Sequence, residues 1–183
     1  GPILDMEGGL LGAVENLQGI SWQELTIRGV SNHAGTTPMR LRHDAGYCAA
    51  RIAVFIRELV TRMGGSQVGT VGVVRMTPNL INVIANTAIV SVDLRNTDDA
   101  RLRSAERELA AFLEALAREE GVAIEARALV RTAPVVFSPL VLEAIEAVAA
   151  ECELPIRRMT SAAGHDAQMI AQICPTAMIF VPS

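Results

Sequence analysis

Nine residues near the middle of the chain, Thr87 to Arg95, alternate strictly between two kinds of side chain. Ala88, Val90, Val92 and Leu94 fall on one face; Thr87, Ile89, Ser91, Asp93 and Arg95 fall on the other. That period of two is the pattern of a strand with one face buried. Helical stripes lie on both sides of it. Ile52, Phe55, Ile56, Leu59, Val60 and Met63 recur at helical spacing and stop at Gly64-Gly65; Leu102, Ala105, Leu109, Phe112, Leu113 and Leu116 do the same and stop at Gly121. Thr97, followed by Asp98 and Asp99, reads as the N-cap of the second helix with acids in its first turn. Further strands are expected at 22–29, 67–76 and 122–129. Residues 22 to about 130 therefore run β-α-β-β-α-β. That order gives a four-stranded antiparallel sheet with both helices on one face.

The flanks have a different style. Ser138-Pro139 opens a helix to about Glu151, with Ser at the cap and Pro at the first position. A short strand at Ile156–Met159 leads into the small-residue loop Ser161 to Asp166; a helix and a terminal strand at 176–181 follow, the latter reading as fully buried. The fold class is α/β plus α+β: segments 1–20 and 133–183 form part of an α/β domain, into which the β-α-β-β-α-β module, 21–132, is inserted. The chain opens on Gly1-Pro2 without an initiator Met and closes two residues beyond a strand that reads as central. A segment of a longer protein is the expectation, because termini usually lie at the surface.

Composition removes several classes of function. Half of the 183 residues are hydrophobic but only 3% are aromatic, so Ala, Val, Leu and Ile must fill the core. The net charge is −4 with signs interspersed, and no basic stripe suits nucleic acid. All sixteen basic residues are Arg, which excludes a lysine nucleophile or Schiff base. Cys48, Cys152 and Cys174 are distant from one another and form no C-x-x-C pair; they read as buried free thiols in a reducing cytoplasm. No apolar run reaches transmembrane length, so no membrane partner is expected. The chain has no G-x-S-x-G elbow and no Gly-rich phosphate loop, and Cys48 sits inside a helix without a partner His. Its three histidines show neither H-x-D nor H-E-x-x-H spacing, so no metal ligand is assigned within the chain.

Four places hold groups that can bind a ligand. His33 lies in the turn Asn32-His33-Ala34-Gly35-Thr36-Thr37-Pro38-Met39, between a strand and a helix. Asn82 follows a Pro-Asn turn, and Arg95 ends the alternating strand opposite its apolar face. Each has an ordinary structural explanation, as a lone imidazole, a turn asparagine and a solvated arginine. Together they supply donors for an oxyanion, an amide and a carboxylate. Gly164-His165-Asp166 is the fourth, where acid–base chemistry and loop pinning remain equal alternatives. His43, between Arg42 and Asp44, is assigned to the surface.

These residues resemble a known family, the amidohydrolase branch of the M20 metallopeptidase-like enzymes. It includes N-carbamoyl-L-amino-acid hydrolases and allantoate amidohydrolases. The matching segments run in family order: Gly1-Pro2-Ile3-Leu4, Asn32 to Met39, Val68-Gly69-Thr70-Val71-Gly72, Asn82-Val83-Ile84, Asp93-Leu94-Arg95, Gly164-His165-Asp166-Ala167-Gln168 and Cys174 to Ser183. Ala85 stands where the family usually has Pro, and Ala162 where it usually has Gly. The resemblance implies a metallopeptidase-like catalytic domain carrying an inserted lid and dimerisation domain, and hence a homodimer. It implies two divalent metal ions of Zn or Mn type in the parent enzyme, bridging the water that attacks the carbamoyl carbon, with ligands outside this chain. It implies that His33 is the catalytic residue here, reaching into the partner's site to stabilise an oxyanion. Asn82 and Arg95 would bind the carboxylate of a carbamoyl or ureide substrate, and Gly164 and His165 would line the pocket. Hydrolysis of N-carbamoyl-L-amino acids is the expected parent activity and allantoate hydrolysis the alternative. A non-catalytic dimerisation or ligand-binding module is the alternative of another class.

Overall fold

Alternation along β4 (Thr87–Asn96) buries Ala88, Val90, Val92, Leu94 and Asn96 and leaves the intervening side chains half-exposed. In the computed structural model, which describes Leu4 and residues 10–182, this strand lies inside a four-stranded sheet. Gly1-Pro2-Ile3 and Ser183 of the motifs quoted above fall outside the described residues. The sheet order is β3-β4-β2-β5, with β2 at Gly19–Arg28, β3 at Val68–Thr77 and β5 at Ala123–Thr132. Helices α1 (Ala45–Met63) and α2 (Asp99–Glu120) pack on one face. Leu25 and Ile27 of β2 meet the inward row of β4, Ile52, Ile56 and Leu59 of α1, and Leu102, Leu109, Leu113 and Leu116 of α2 in one core. Each such side chain contributes roughly 1.5–3 kcal/mol by leaving water.

The helix ends are set by local chemistry. Asp44 caps α1 by accepting the N–H groups of Gly46 and Tyr47, and Gly64 ends it at φ 59°. The cap of α2 is Asp98, one residue beyond the Thr97 expected from the sequence. Its carboxylate accepts from Ala100 and Arg101 N, whereas the Thr97 hydroxyl is engaged with Ser66 Oγ at 2.8 Å. Gly121 closes α2 in the left-handed region. Two strands of this sheet carry bulges, β5 at Leu129, opposite Trp22 and Gln23, and β3 between Val71 and Val74. At the second, Ser91 Oγ receives the Val73 N–H at 2.9 Å.

The described residues of 1–19 and 133–183 form a second compact unit, apart from 20–132. Its sheet centres on β1 (Leu11–Leu17), which pairs parallel with β7 (Ile156–Ser161). On the other edge β1 pairs antiparallel with β8 (Met178–Phe180) and then with β6 (Val135–Val136). Leu4, Val14, Leu17, Phe137 and Met159 form its core. Helix α3 (Pro139–Glu151) packs against β1, and α4 (Ala167–Ile170) is a single turn. Ser138 stands at the α3 cap position, but its side chain makes no capping bond.

Two expectations fail here. The strand expected fully buried at 176–181 is only three residues long, and Ile179 in it is 54% exposed. It pairs with β1 alone, so its second edge has no strand among the described residues. Of the cysteines expected to be buried, only Cys48 is; Cys152 at the α3 C-cap and Cys174 in a loop are exposed.

Candidate functional site

The first donor is built from two loops at one end of the four-stranded sheet. His33 follows β2 and forms an antiparallel bridge with Val83, which precedes β4. Asn32 O accepts from Ile84 N and Asn82 O accepts from Ala34 N, each at 2.9 Å, so the loops run side by side. The imidazole is exposed and folds over its own turn, with Gly35 N–H donating to His33 Nδ1 at 3.1 Å. With Nδ1 an acceptor, the neutral ring carries its proton on Nε2 and offers it as a donor. Asn82 is also exposed, one residue from the bridge.

The base of the loop allows no side chain at Gly29. A methyl there would strike the His43 carbonyl, which accepts the Val30 N–H at 2.9 Å. His43 itself is half-buried, not the surface residue expected. Its Nδ1 lies 2.9 Å from Glu120 O and its ring fills the space a side chain on Gly121 would need, tying the loop to the end of α2.

Arg95 stands at the opposite end of the same sheet. It pairs with Val68 in the register that sets Thr87 against Thr77. Eight residues of strand separate it from Thr87, about 26 Å at the usual rise. Asn82 lies further still along the chain. The structure therefore brings His33 and Asn82 together and does not bring Arg95 to them. The fork expected to grip a ligand carboxylate already holds one, that of Asp93 two residues earlier. Nε lies 3.0 and 3.1 Å from the two Asp93 oxygens and Nη2 lies 2.7 Å from Oδ2. These hydrogen bonds push the Arg95 guanidinium above its ordinary range. The guanidinium carbon sits 5.9 Å from the Trp22 ring centroid. Behind it, Gln67 Nε2 donates to Arg95 O, and Gln67 joins buried Asn96 and Ser66 in a polar network. A cavity of about 240 Å³ beside Asp93 is lined by Trp22, Thr70, Ser91 and Leu129, among others.

Gly164 and His165 belong to the other unit, in the exposed turn before α4. The His165 ring lies 5.5 Å from that of Phe180, tilted by 54°. Among the described residues no hydrogen bond joins it to Asp166, whose carbonyl accepts from Met169 and Ile170 N. Open space surrounds Gly164.

Cys48 is no nucleophile. Burial, then the nearby Glu120 and Asp44, push its thiol up to about 11. No group of three or more His, Cys, Asp or Glu able to hold a metal occurs among the described residues. No described helix is long and apolar enough to cross a membrane. Sequence reasoning missed Asp93 as the partner of Arg95 and Arg42 as the brace of the His33 turn. The spacing Asp-x-Arg on one strand face was the available signal for the first.

Comparison with known proteins agrees with this fold. Residues 16–121 match the peptidase dimerisation domain of the M20 type. The chain is 33% identical over 182 residues to an N-carbamoyl-L-amino-acid amidohydrolase of Rhizobium meliloti, and 37% identical over 186 residues to an allantoate amidohydrolase of Escherichia coli K12. Both matches cover all of this chain but 44% of the relative, so the chain spans less than half the length of the curated relatives it matches. Among solved structures, a hydantoinase/carbamoylase family amidase from Burkholderia multivorans superposes with a TM-score of 0.94 at 35% identity. That match covers all of this chain and 44% of the other.

Proposed function

The chain belongs to the M20 peptidase dimerisation-domain family, and from that premise we propose that the full-length protein is a metal-dependent amidohydrolase cleaving the ureido C–N bond of N-carbamoyl-L-amino acids. The observation that carries the reading is the donor set. One end of the sheet offers the Nε2–H of His33 with Asn82 beside it; the other offers the Arg95 guanidinium. An imidazole N–H aimed at a carbonyl oxygen can stabilise the oxyanion formed on hydrolysis. A guanidinium suits a carboxylate. A carbamoyl amino acid carries both groups a few bonds apart, far less than the span of the strand. One copy of this unit cannot serve both ends of so small a molecule, so the reading requires two copies.

Edge strand β3 supports a homodimer. It runs for ten residues with one neighbouring strand among the described residues, and Val68, Val73, Val74 and Met76 are exposed along it. A long apolar edge is a liability unless something pairs with it, and a second copy of β3 is the natural partner. In the proposed dimer His33 and Asn82 of one subunit complete the site that holds Arg95 of the other. By this proposal the two divalent ions are held by residues outside those described. This chain's part is to bind and orient the substrate and to supply the oxyanion donor. The unpaired, exposed thiols of Cys152 and Cys174 suit a cytoplasmic setting.

Similarity to the allantoate amidohydrolase is as high as to the carbamoylase, so allantoate is the second substrate to test. The test is ammonia release by the full-length protein from N-carbamoyl-L-amino acids and from allantoate. It is measured after chelation and after return of Zn or Mn. Turnover of the carbamoyl amino acid that is lost on chelation and regained with metal is the expected result. Turnover of neither substrate, or turnover indifferent to chelation, overturns the proposal.

A further inference from the structure

The turn that carries His33 is braced by a cation that has no carboxylate partner within ion-pair distance among the described residues. Arg42 is half-buried and donates through Nε to Thr37 O at 3.1 Å and through Nη2 to Ala34 O at 2.6 Å. Those two carbonyls bracket the turn. Inside it, Thr37 returns two bonds to His33 O, from its amide at 3.2 Å and from its hydroxyl at 2.8 Å. The Gly35 amide meets Nδ1 of the ring, and a side chain on Gly35 would lie 3.3 Å from His33 Cε1. The ring orientation is thus set by an amide whose own position depends on the Ala34 and Thr37 carbonyls. A hydrogen bond from a charged donor is roughly twice as strong as a neutral one, and Arg42 contributes two of them to the four-residue turn 34–37.

We propose that Arg42 is a positioning residue for His33: by clamping the 34–37 turn it holds the Gly35 N–H against Nδ1 and fixes the imidazole proton on Nε2. The proposal rests on the reading of His33 as the oxyanion donor, and gives that reading its tautomer. A ring with its proton on Nδ1 would face the Gly35 N–H with a second hydrogen and present only a lone pair outward. A metal, a substrate or a second copy is not needed for this effect, which lies wholly within the loop.

The ring nitrogens report it directly. Two-bond ¹H–¹⁵N correlation spectra of the 183-residue chain are recorded with the imidazole neutral, for the wild type, Arg42→Lys and Arg42→Ala. The wild type should show one protonated nitrogen, Nε2, and one acceptor nitrogen, Nδ1, with the Gly35 amide proton shifted downfield. In Arg42→Ala the two nitrogen shifts should move toward each other as tautomers mix, and the Gly35 shift should be lost. Arg42→Lys, with one donor able to reach one carbonyl, should fall between. A thermal melt accompanies each variant, and if Arg42→Ala does not fold, Arg42→Lys carries the comparison. Ring shifts unchanged in a folded variant overturn the proposal, whatever its melting temperature. In the full-length enzyme Arg42→Ala should lower kcat on the order of tenfold with little change in KM, and should cost nothing further in a His33→Gln background. If His33→Gln itself leaves kcat unchanged, the functional reading of His33 fails while the spectroscopic result still decides the role of Arg42.

Discussion

In the proposed site, Arg95 is where a single side chain most sharply separates binding from chemistry. Its guanidinium is held by Asp93 through Nε and Nη2 and lies against Trp22, so a ligand carboxylate must share the cation with Asp93 or displace it. Replacing Arg95 with Ala in the full-length protein should raise KM for the carbamoyl substrate about 10- to 100-fold, the value of a charge-assisted contact, with a smaller effect on kcat. An unchanged KM contradicts the role given to it. Cysteine reactivity is a second test at this scale. With its thiol pushed to about 11 inside the core, Cys48 should resist a thiol reagent at neutral pH that labels Cys152 and Cys174 in the folded chain. Prompt labelling of three thiols would mean the α1–sheet core is open. His33, Asn82 and Arg95 were legible as candidates because each combines donor chemistry with a turn or strand-end position. Arg42, Asp93 and the half-buried His43 were not, because what they do depends on carbonyls and carboxylates brought close by folding rather than by motif.

At the scale of elements, helix α2 and the loop before α1 carry the tests. Asp98→Ala should cost about 1 kcal/mol in urea unfolding, the usual loss of an N-cap, and Thr97→Ala should cost less. The reverse order would restore the cap to Thr97. Asp99, in the first turn, is held below the ordinary carboxylate range by Arg103 and then by Arg131. Since its folded value lies below its unfolded one, its contribution is full above the unfolded value and is lost as pH falls through the folded one. Asp99→Asn should therefore lower the melting temperature slightly at neutral pH, by an amount that salt reduces and that fades in acid. A deficit that grew in acid would reverse the sign. Gly29→Ala should destabilise by about 1–3 kcal/mol, since the new methyl meets the His43 carbonyl and neither backbone can easily yield. The β-α-β-β-α-β order was legible because strand and helix periods differ and Gly64 and Gly121 punctuate them. Strand β1 was not, since Leu11–Leu17 lacks alternation, and β8 read as buried because an apolar run looks the same at a sheet edge as at its centre.

For the whole molecule, one sheet carries the His33 imidazole and the Arg95 guanidinium at opposite ends, so the proposed active site needs both ends of two different copies. Twofold symmetry then gives the proposed dimer two equivalent sites, each drawing Arg95 from one subunit and His33 from the other. Co-expression of the full-length Arg95→Ala protein with the full-length His33→Gln protein tests this most directly. In a mixed dimer one site combines both defects and the other has neither. With random pairing about a quarter of all sites are then intact, and hydrolysis of the carbamoyl substrate should recover to about that fraction of the wild-type rate. Activity no greater than that of the two variants expressed separately, with mixed dimers shown to be present, would contradict a site shared between subunits.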